Sequence, residues 1–301
     1  MNIRSLIHPL WPFALLLILY SAATTGVMNT DGAIRVGGSA ESLYNVSITD
    51  TKIVFTLFFN EVLKNAGERF TVEIFKSDRD LEQALKTGKL DAMFSNTVQY
   101  LDQEAFLNPN ATYISRFSPN LKEKYYLLVR QDSGIHKISQ LRNKRFILPS
   151  GHIVGKLFLD VQLLRQGLPE SHKFFSEMRK TKESNTAVVD LFFRKADAAL
   201  VTDFAFEVAR ELNPQLDEVL SILTVSEPFV YQVISMHRDF PQARIDTFEP
   251  YILDIQDTPR MKNLMKTFRF KGLHKIDNSS LKEVRLLVDE LRRLKGGDSG
   301  P

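Results

Sequence analysis

Two runs of short apolar strands alternating with amphipathic helices constrain this chain more than any other feature. In the first, Ala33-Ile34-Arg35-Val36-Gly37-Gly38 reads as a strand ending in glycines. Residues 50–65 follow as a helix with Ile53, Leu57 and Val62 near helical spacing and Gly67 just past its end. Residues 70–75 alternate as a strand does. Asp78 opens a helix through Leu81 to Lys86 that Gly88 closes, and Leu90-Asp91-Ala92-Met93-Phe94 is the third strand. A second run begins near Lys124: a strand over 125–130, a turn at 132–135, a strand over 145–148 and a helix over 155–166 stopped by Gly167. A helix over 187–194 and a strand over 198–201 complete it. This alternation predicts mostly parallel α/β sheets. After Pro228 a strand over 229–236 gives way mostly to helices, ending in a charged amphipathic helix over 280–294 and a frayed tail over 296–301.

The first residues follow a different logic. Arg4, an apolar run over 10–20 and then Ser21-Ala22-Ala23 have the order of a signal peptide, with cleavage expected after Ala23. A retained anchor is the alternative, since 6–25 are uncharged, but Pro9 and Pro12 interrupt that stretch. The remainder is long enough for two lobes. Formal charge is +3, which gives no case for nucleic acid. The chain has no cysteine, which excludes disulfides, thiolate metal sites, a cysteine nucleophile and a lipid-bearing N-terminal cysteine. An exported protein without disulfides fits the bacterial periplasm. The expectation is a freely diffusing monomer there.

Four local patterns occur in order. They are Val36-Gly37-Gly38-Ser39; Ala84-Leu85-Lys86-Thr87-Gly88-Lys89-Leu90-Asp91-Ala92; residues 126–135 with Leu141-Arg142-Asn143-Lys144-Arg145-Phe146; and residues 188–199, ending Ala196-Asp197-Ala198-Ala199. Together they resemble the substrate-binding proteins of phosphate, phosphite and phosphonate ABC transporters. The resemblance implies a two-lobed type 2 periplasmic-binding fold, each lobe a mixed sheet flanked by helices, joined by a hinge of two crossings. Lobe 1 would hold 31–124 and 227–295, and lobe 2 would hold 125–226, with the hinge near 123–125 and 225–228. It also implies a small-molecule ligand and a membrane permease as partners.

In open α/β sheets ligands sit at strand ends, where helix N-termini favour oxyanions. The candidate ligand-binding residues are therefore the strand-to-helix turns: Ser39; Ser95, Asn96 and Thr97 with Tyr100; Ser150, Gly151 and His152; Ser184 and Asn185; Thr202 and Asp203. The same residue types are preferred as helix caps, which is the competing role for each. Two departures from the family pattern bear on the ligand. Its hydroxyl-rich loop reads Pro149-Ser150-Gly151-His152-Ile153-Val154-Gly155 here, and a family histidine in a Ser-His-Asp loop is replaced within Glu183-Ser184-Asn185. His152 could meet an anion or sit in a solvated turn.

The histidines lack metal-ligand spacing, and no nucleophile elbow, P-loop or dinucleotide fingerprint occurs, so no metal, cofactor or catalytic residue is expected. Asp91 and Asp197 read as structural. The leading expectation is capture of a small, phosphate- or phosphonate-like anion for an ABC transporter. A ligand sensor reporting to a membrane kinase or cyclase, and a scaffold that has lost its ligand, are the other classes.

Overall fold

The structure, a computed structural model, describes residues 32–41, 48–115, 120–254, 262–263, 265–266 and 271–296. The expected signal peptide and all but the first residue of the expected tail lie outside them. In chain order the strands are β1 Ile34–Ser39, β2 Phe70–Phe75, β3 Ala92–Asn96, β4 Leu107–Ser115, β5 Tyr125–Arg130, β6 Arg145–Pro149, β7 Glu177–Thr181, β8 Ala198–Thr202, β9 Leu220–Val225, β10 Gln232–His237 and β11 Leu273–Ile276. The helices are α1 Ile48–Leu63, α2 Asp78–Lys86, α3 Thr97–Gln103, α4 Ile153–Arg165, α5 Ser171–Phe174, α6 Ser184–Phe192, α7 Asp203–Leu212, α8 Leu216–Val219, α9 Gln242–Leu253 and α10 Lys282–Leu294.

The strands form two sheets, ordered β11-β4-β10-β3-β1-β2 and β7-β6-β8-β5-β9. Both are mixed. In the first, β1 runs parallel to β2 and β3, while β10 is antiparallel to β3 and β4. In the second, β6 is parallel to β7 and β8, and β5 is antiparallel to β8 and β9. The antiparallel strands correct the mostly parallel sheets expected from alternation. Four strands, β4, β7, β9 and β11, were not anticipated, and β11 interrupts the stretch expected to be mostly helical.

Both sheets are pinned alike at the strand-start end. Asp91, fully buried just before β3, accepts from the Arg35 guanidinium at 2.8 Å through each oxygen and from the Arg35 backbone N–H at 2.8 Å. Asp197, just before β8, accepts from Arg145 in the same pattern at 3.3, 3.0 and 2.8 Å. These carboxylates fix the register of β1 against β3 and of β6 against β8, the structural role expected of them.

Two stretches of chain run between the sheets side by side. Glu123 and Phe229 exchange backbone hydrogen bonds at 2.9 and 2.8 Å, forming an isolated antiparallel bridge. Phe229 belongs to the same apolar cluster as Tyr125 of β5 and Val154 of α4. Among the described residues, no helix is long and apolar enough to cross a membrane.

Candidate functional site

The parallel strands of both sheets end in polar residues that start helices. β3 runs into α3, β6 into α4, β7 into α6 and β8 into α7. Helix starts expose backbone N–H groups and a partial positive charge, the chemistry that holds oxyanions. The turn before α4 depends on Gly151, whose φ of 80° lies in the left-handed region that suits glycine.

Most of the candidate side chains are already hydrogen-bonded within the protein. Ser39 is fully buried, and its hydroxyl donates to the Asp78 carboxylate at the start of α2. Asn96 caps α3, its Oδ1 accepting from the Gln99 N–H at 2.9 Å. Thr97 donates through Oγ1 to the Val230 carbonyl at 2.6 Å and through its N–H to Tyr231 at 2.9 Å, tying α3 to the returning chain. Thr202 caps α7 by accepting from the Ala205 N–H at 3.3 Å. Asp203 accepts at 2.8 Å from the Phe204 N–H and donates its own N–H to Lys124 at 2.9 Å. Tyr100 is fully buried, its hydroxyl 3.4 Å from Asn278 Oδ1, and burial raises its pKa. Ser95 is fully buried on β3, and its hydroxyl has no hydrogen-bond partner among the described residues.

In the second sheet the structure brings two predicted turns together. His152 and Ser184 are both buried, with His152 Nε2 3.2 Å from Ser184 Oγ, so the β6–α4 turn is linked to the β7–α6 turn. The Ser150 N–H donates to the Thr181 carbonyl at 2.7 Å across the same gap. The His152 ring meets Tyr125 edge-on at 5.5 Å. Burial pushes the imidazole down to about 3, so it stays neutral near pH 7 and offers a hydrogen bond, not a charge. A solvated turn histidine is thus excluded. Asn185, beside Ser184, is exposed.

One residue at the chain crossing was expected at the hinge but not among the ligand-binding residues. Glu123 lies between Lys122 and Lys124. In the structure it is partly buried at the crossing, and burial, then the charge of Asp203, pushes its carboxyl up to about 7. Among the described residues no group of three or more His, Asp or Glu side chains could hold a metal ion.

A family described as ABC transporter, phosphonate, periplasmic substrate-binding protein matches residues 49–281, well over half of the chain. No curated protein matches it in sequence. Solved structures share its fold at low identity. The Xanthomonas citri protein XAC2383 bound to ATP is 16% identical with a TM-score of 0.66, covering 88% of this chain and 99% of that one. PhnD1 from Prochlorococcus marinus in complex with methylphosphonate is 17% identical with a TM-score of 0.60, again covering 88% and 99%. The periplasmic aliphatic sulphonate binding protein SsuA from Escherichia coli is 13% identical with a TM-score of 0.53, covering 89% and 94%.

Proposed function

We propose that this chain, which belongs to the periplasmic substrate-binding proteins of phosphonate ABC transporters, captures a small phosphate- or phosphonate-like anion between two lobes and presents the closed form to a membrane permease. The lobes are built on the two sheets, the first from residues 31–124 and 227–295 and the second from 125–226, hinged where Glu123 meets Phe229.

The observation that carries this reading is the position of the candidate turns. They lie at the ends of parallel strands in both sheets, and α4 and α6 begin side by side, joined through His152 and Ser184. Two adjacent helix starts supply N–H donors and positive potential without any lysine. A neutral His152 adds a hydrogen bond and no charge, so the ligand's charge would be met by backbone dipoles. The similar folds of the methylphosphonate-bound and ATP-bound proteins, both holding phosphorus oxyanions, agree with that ligand class.

Closure follows from bridging: a ligand held by both lobes favours the closed form, and the permease reads the closed surface. Export through the N-terminal signal would leave Thr24 as the first residue, which N-terminal sequencing of protein recovered from the periplasm checks. For the ligand, a thermal-shift screen uses inorganic phosphate, phosphite, methylphosphonate, alkylsulfonates and amino acids. A true ligand stabilises by about 2.7 kcal/mol at a hundredfold excess over its Kd. Stabilisation by the amino acids alone, with none of the oxyanions shifting the melt, would refute the oxyanion reading.

A further inference from the structure

The C-terminal helix α10 belongs to neither sheet and touches the helices of both. It enters from β11 of the first sheet, and Leu281 just before it is buried in that sheet's core with Tyr100 and Leu107. Its apolar face is buried mainly against the second sheet. Val284, Leu287 and Val288 lie in the cluster formed by β5, β6 and α4, with Leu291 and Leu294 packed alongside, and the partly buried Val98 and Leu101 of α3 join it from the first lobe.

Its polar flanks repeat that division. Toward the first sheet, the Arg285 guanidinium donates to both oxygens of Glu104 at 2.9 and 2.8 Å, and Arg292 reaches Asp102 at 3.3 Å. Toward the second, Glu290 accepts from Arg165 at 2.8 and 2.5 Å, and Lys295 pairs with Glu170 at 2.6 Å. At its start Glu283 pairs at 2.7 Å with Lys122, the neighbour of the bridging Glu123. The helix thus spans α3 and α4, which also touch each other and which both begin at candidate ligand turns.

We infer that α10 is a strap across the hinge: it rides with the second lobe and latches the first through Arg285–Glu104 and Arg292–Asp102, favouring approach of the α3 and α4 turns. The inference rests on the reading of two lobes that move. A rotation about the Glu123–Phe229 bridge must break one side of α10. Partly exposed ion pairs yield before a buried apolar seam, so the latch to Glu104 and Asp102 is the side that opens. The rest population of the closed form then scales the apparent ligand affinity without any change in the cleft.

The test uses the mature chain, whose lack of cysteine lets Arg79→Cys and Lys182→Cys carry one spin label on each lobe at exposed positions. In the ligand-free protein, the Asp102→Asn and Glu104→Gln pair of substitutions is expected to lengthen the label distance and broaden its distribution. Arg165→Ala, which weakens only the contact on the second lobe's side, is the control and should leave the distance unchanged while lowering the melting temperature. An unchanged or shorter distance in the double variant overturns the strap, as does an equal change in the control. The readout needs no ligand. The two-lobe reading is judged separately, by whether methylphosphonate or inorganic phosphate at saturation shortens the distance in the labelled parent. For whichever of these binds, the double variant should raise Kd about fivefold.

Discussion

His152 Nε2 lies 3.2 Å from Ser184 Oγ, and this contact joins the two helix starts that form the second lobe's share of the proposed cleft. Both side chains are nearly inaccessible to solvent. Ser184→Ala removes the hydroxyl beside a buried ring nitrogen, which costs about 1–3 kcal/mol. The expected result is a lower urea midpoint with an unchanged slope. An unshifted midpoint would mean the contact contributes nothing to folding.

His152 and Glu123 make opposite contributions to the pH dependence of stability. The His152 ring titrates near 3 in the folded protein, against about 6.5 for an ordinary histidine, because burial opposes its charge. The unfolded chain binds the extra proton first, so this contribution is present above pH 6.5 and lost as pH falls toward 3. Glu123 titrates near 7 against an ordinary 4.5, through burial and then Asp203. The folded state keeps its proton longer, so that contribution is present below pH 4.5 and lost as pH rises to 7. Between 4.5 and 6.5 the two oppose each other. Glu123→Gln removes one of them, so the stability of the variant relative to the parent should rise across that window by about 1 kcal/mol per pH unit. Urea midpoints at pH 4.5, 5.5 and 6.5 read this difference, and parallel profiles would sink it.

The matched pins Arg35–Asp91 and Arg145–Asp197 differ in burial, and burial decides their worth. Asp91 is fully inaccessible, whereas Asp197 is 30% exposed and its Arg145 partner 44%. Asp91→Asn leaves the Arg35 guanidinium, 32% exposed and so partly solvated, without its buried carboxylate partner, at a cost of about 2–3 kcal/mol. Asp197→Asn should cost about 1 kcal/mol or less, since solvent screens that pair. Comparable losses in the two variants, measured by urea unfolding, would show that the lower exposure of Asp91 does not matter.

The alternation of strands and helices was legible because β1, β3, β5, β6 and β8 are mostly apolar, β2 alternates apolar with polar residues, and each ends on or is followed within a few residues by Gly, Ser, Asn or Thr. β4 was not, because Asn108, Pro109 and Asn110 near its start read as a turn while its pairing with β10 is set by distant chain. β7 (Glu-Met-Arg-Lys-Thr) is an edge strand whose charges hide its period, and β9 lies on the other edge of the same sheet. α10 was legible as an amphipathic helix, but its sequence does not say which sheet its apolar face meets. The candidate turns were legible for the same reason as the strand ends. The roles of their side chains were not, because a capping bond and a ligand bond call on the same oxygen: Asn96 and Thr202 are caps. His152 needed the tertiary structure to distinguish burial from solvation.

Gly155 tests how tightly the α4 turn is seated on the second sheet. A Cβ at this position would lie 2.6 and 2.7 Å from Cε1 and Cδ1 of Tyr125 and 3.1 Å from Leu200 Cδ2. Tyr125 is fully buried, and its ring meets His152 at 5.5 Å and Phe229 at 6.4 Å, so retreat would disturb the His152 turn and the hinge together. In an open helix, alanine would gain about 1 kcal/mol over glycine. Here overpacking of about 1–3 kcal/mol outweighs it, and Gly155→Ala is expected to lower the urea midpoint. Gly167→Ala is the informative comparison. Its Cβ would meet nothing within 4 Å, but its φ of +66° is left-handed, so only local backbone strain opposes it. Gly155→Ala should also weaken binding of whichever oxyanion the thermal screen identifies, while Gly167→Ala should not. Equal binding by both, with Gly155→Ala as stable as the parent, would show that the Tyr125 ring moves freely and that the α4 turn is not held by it.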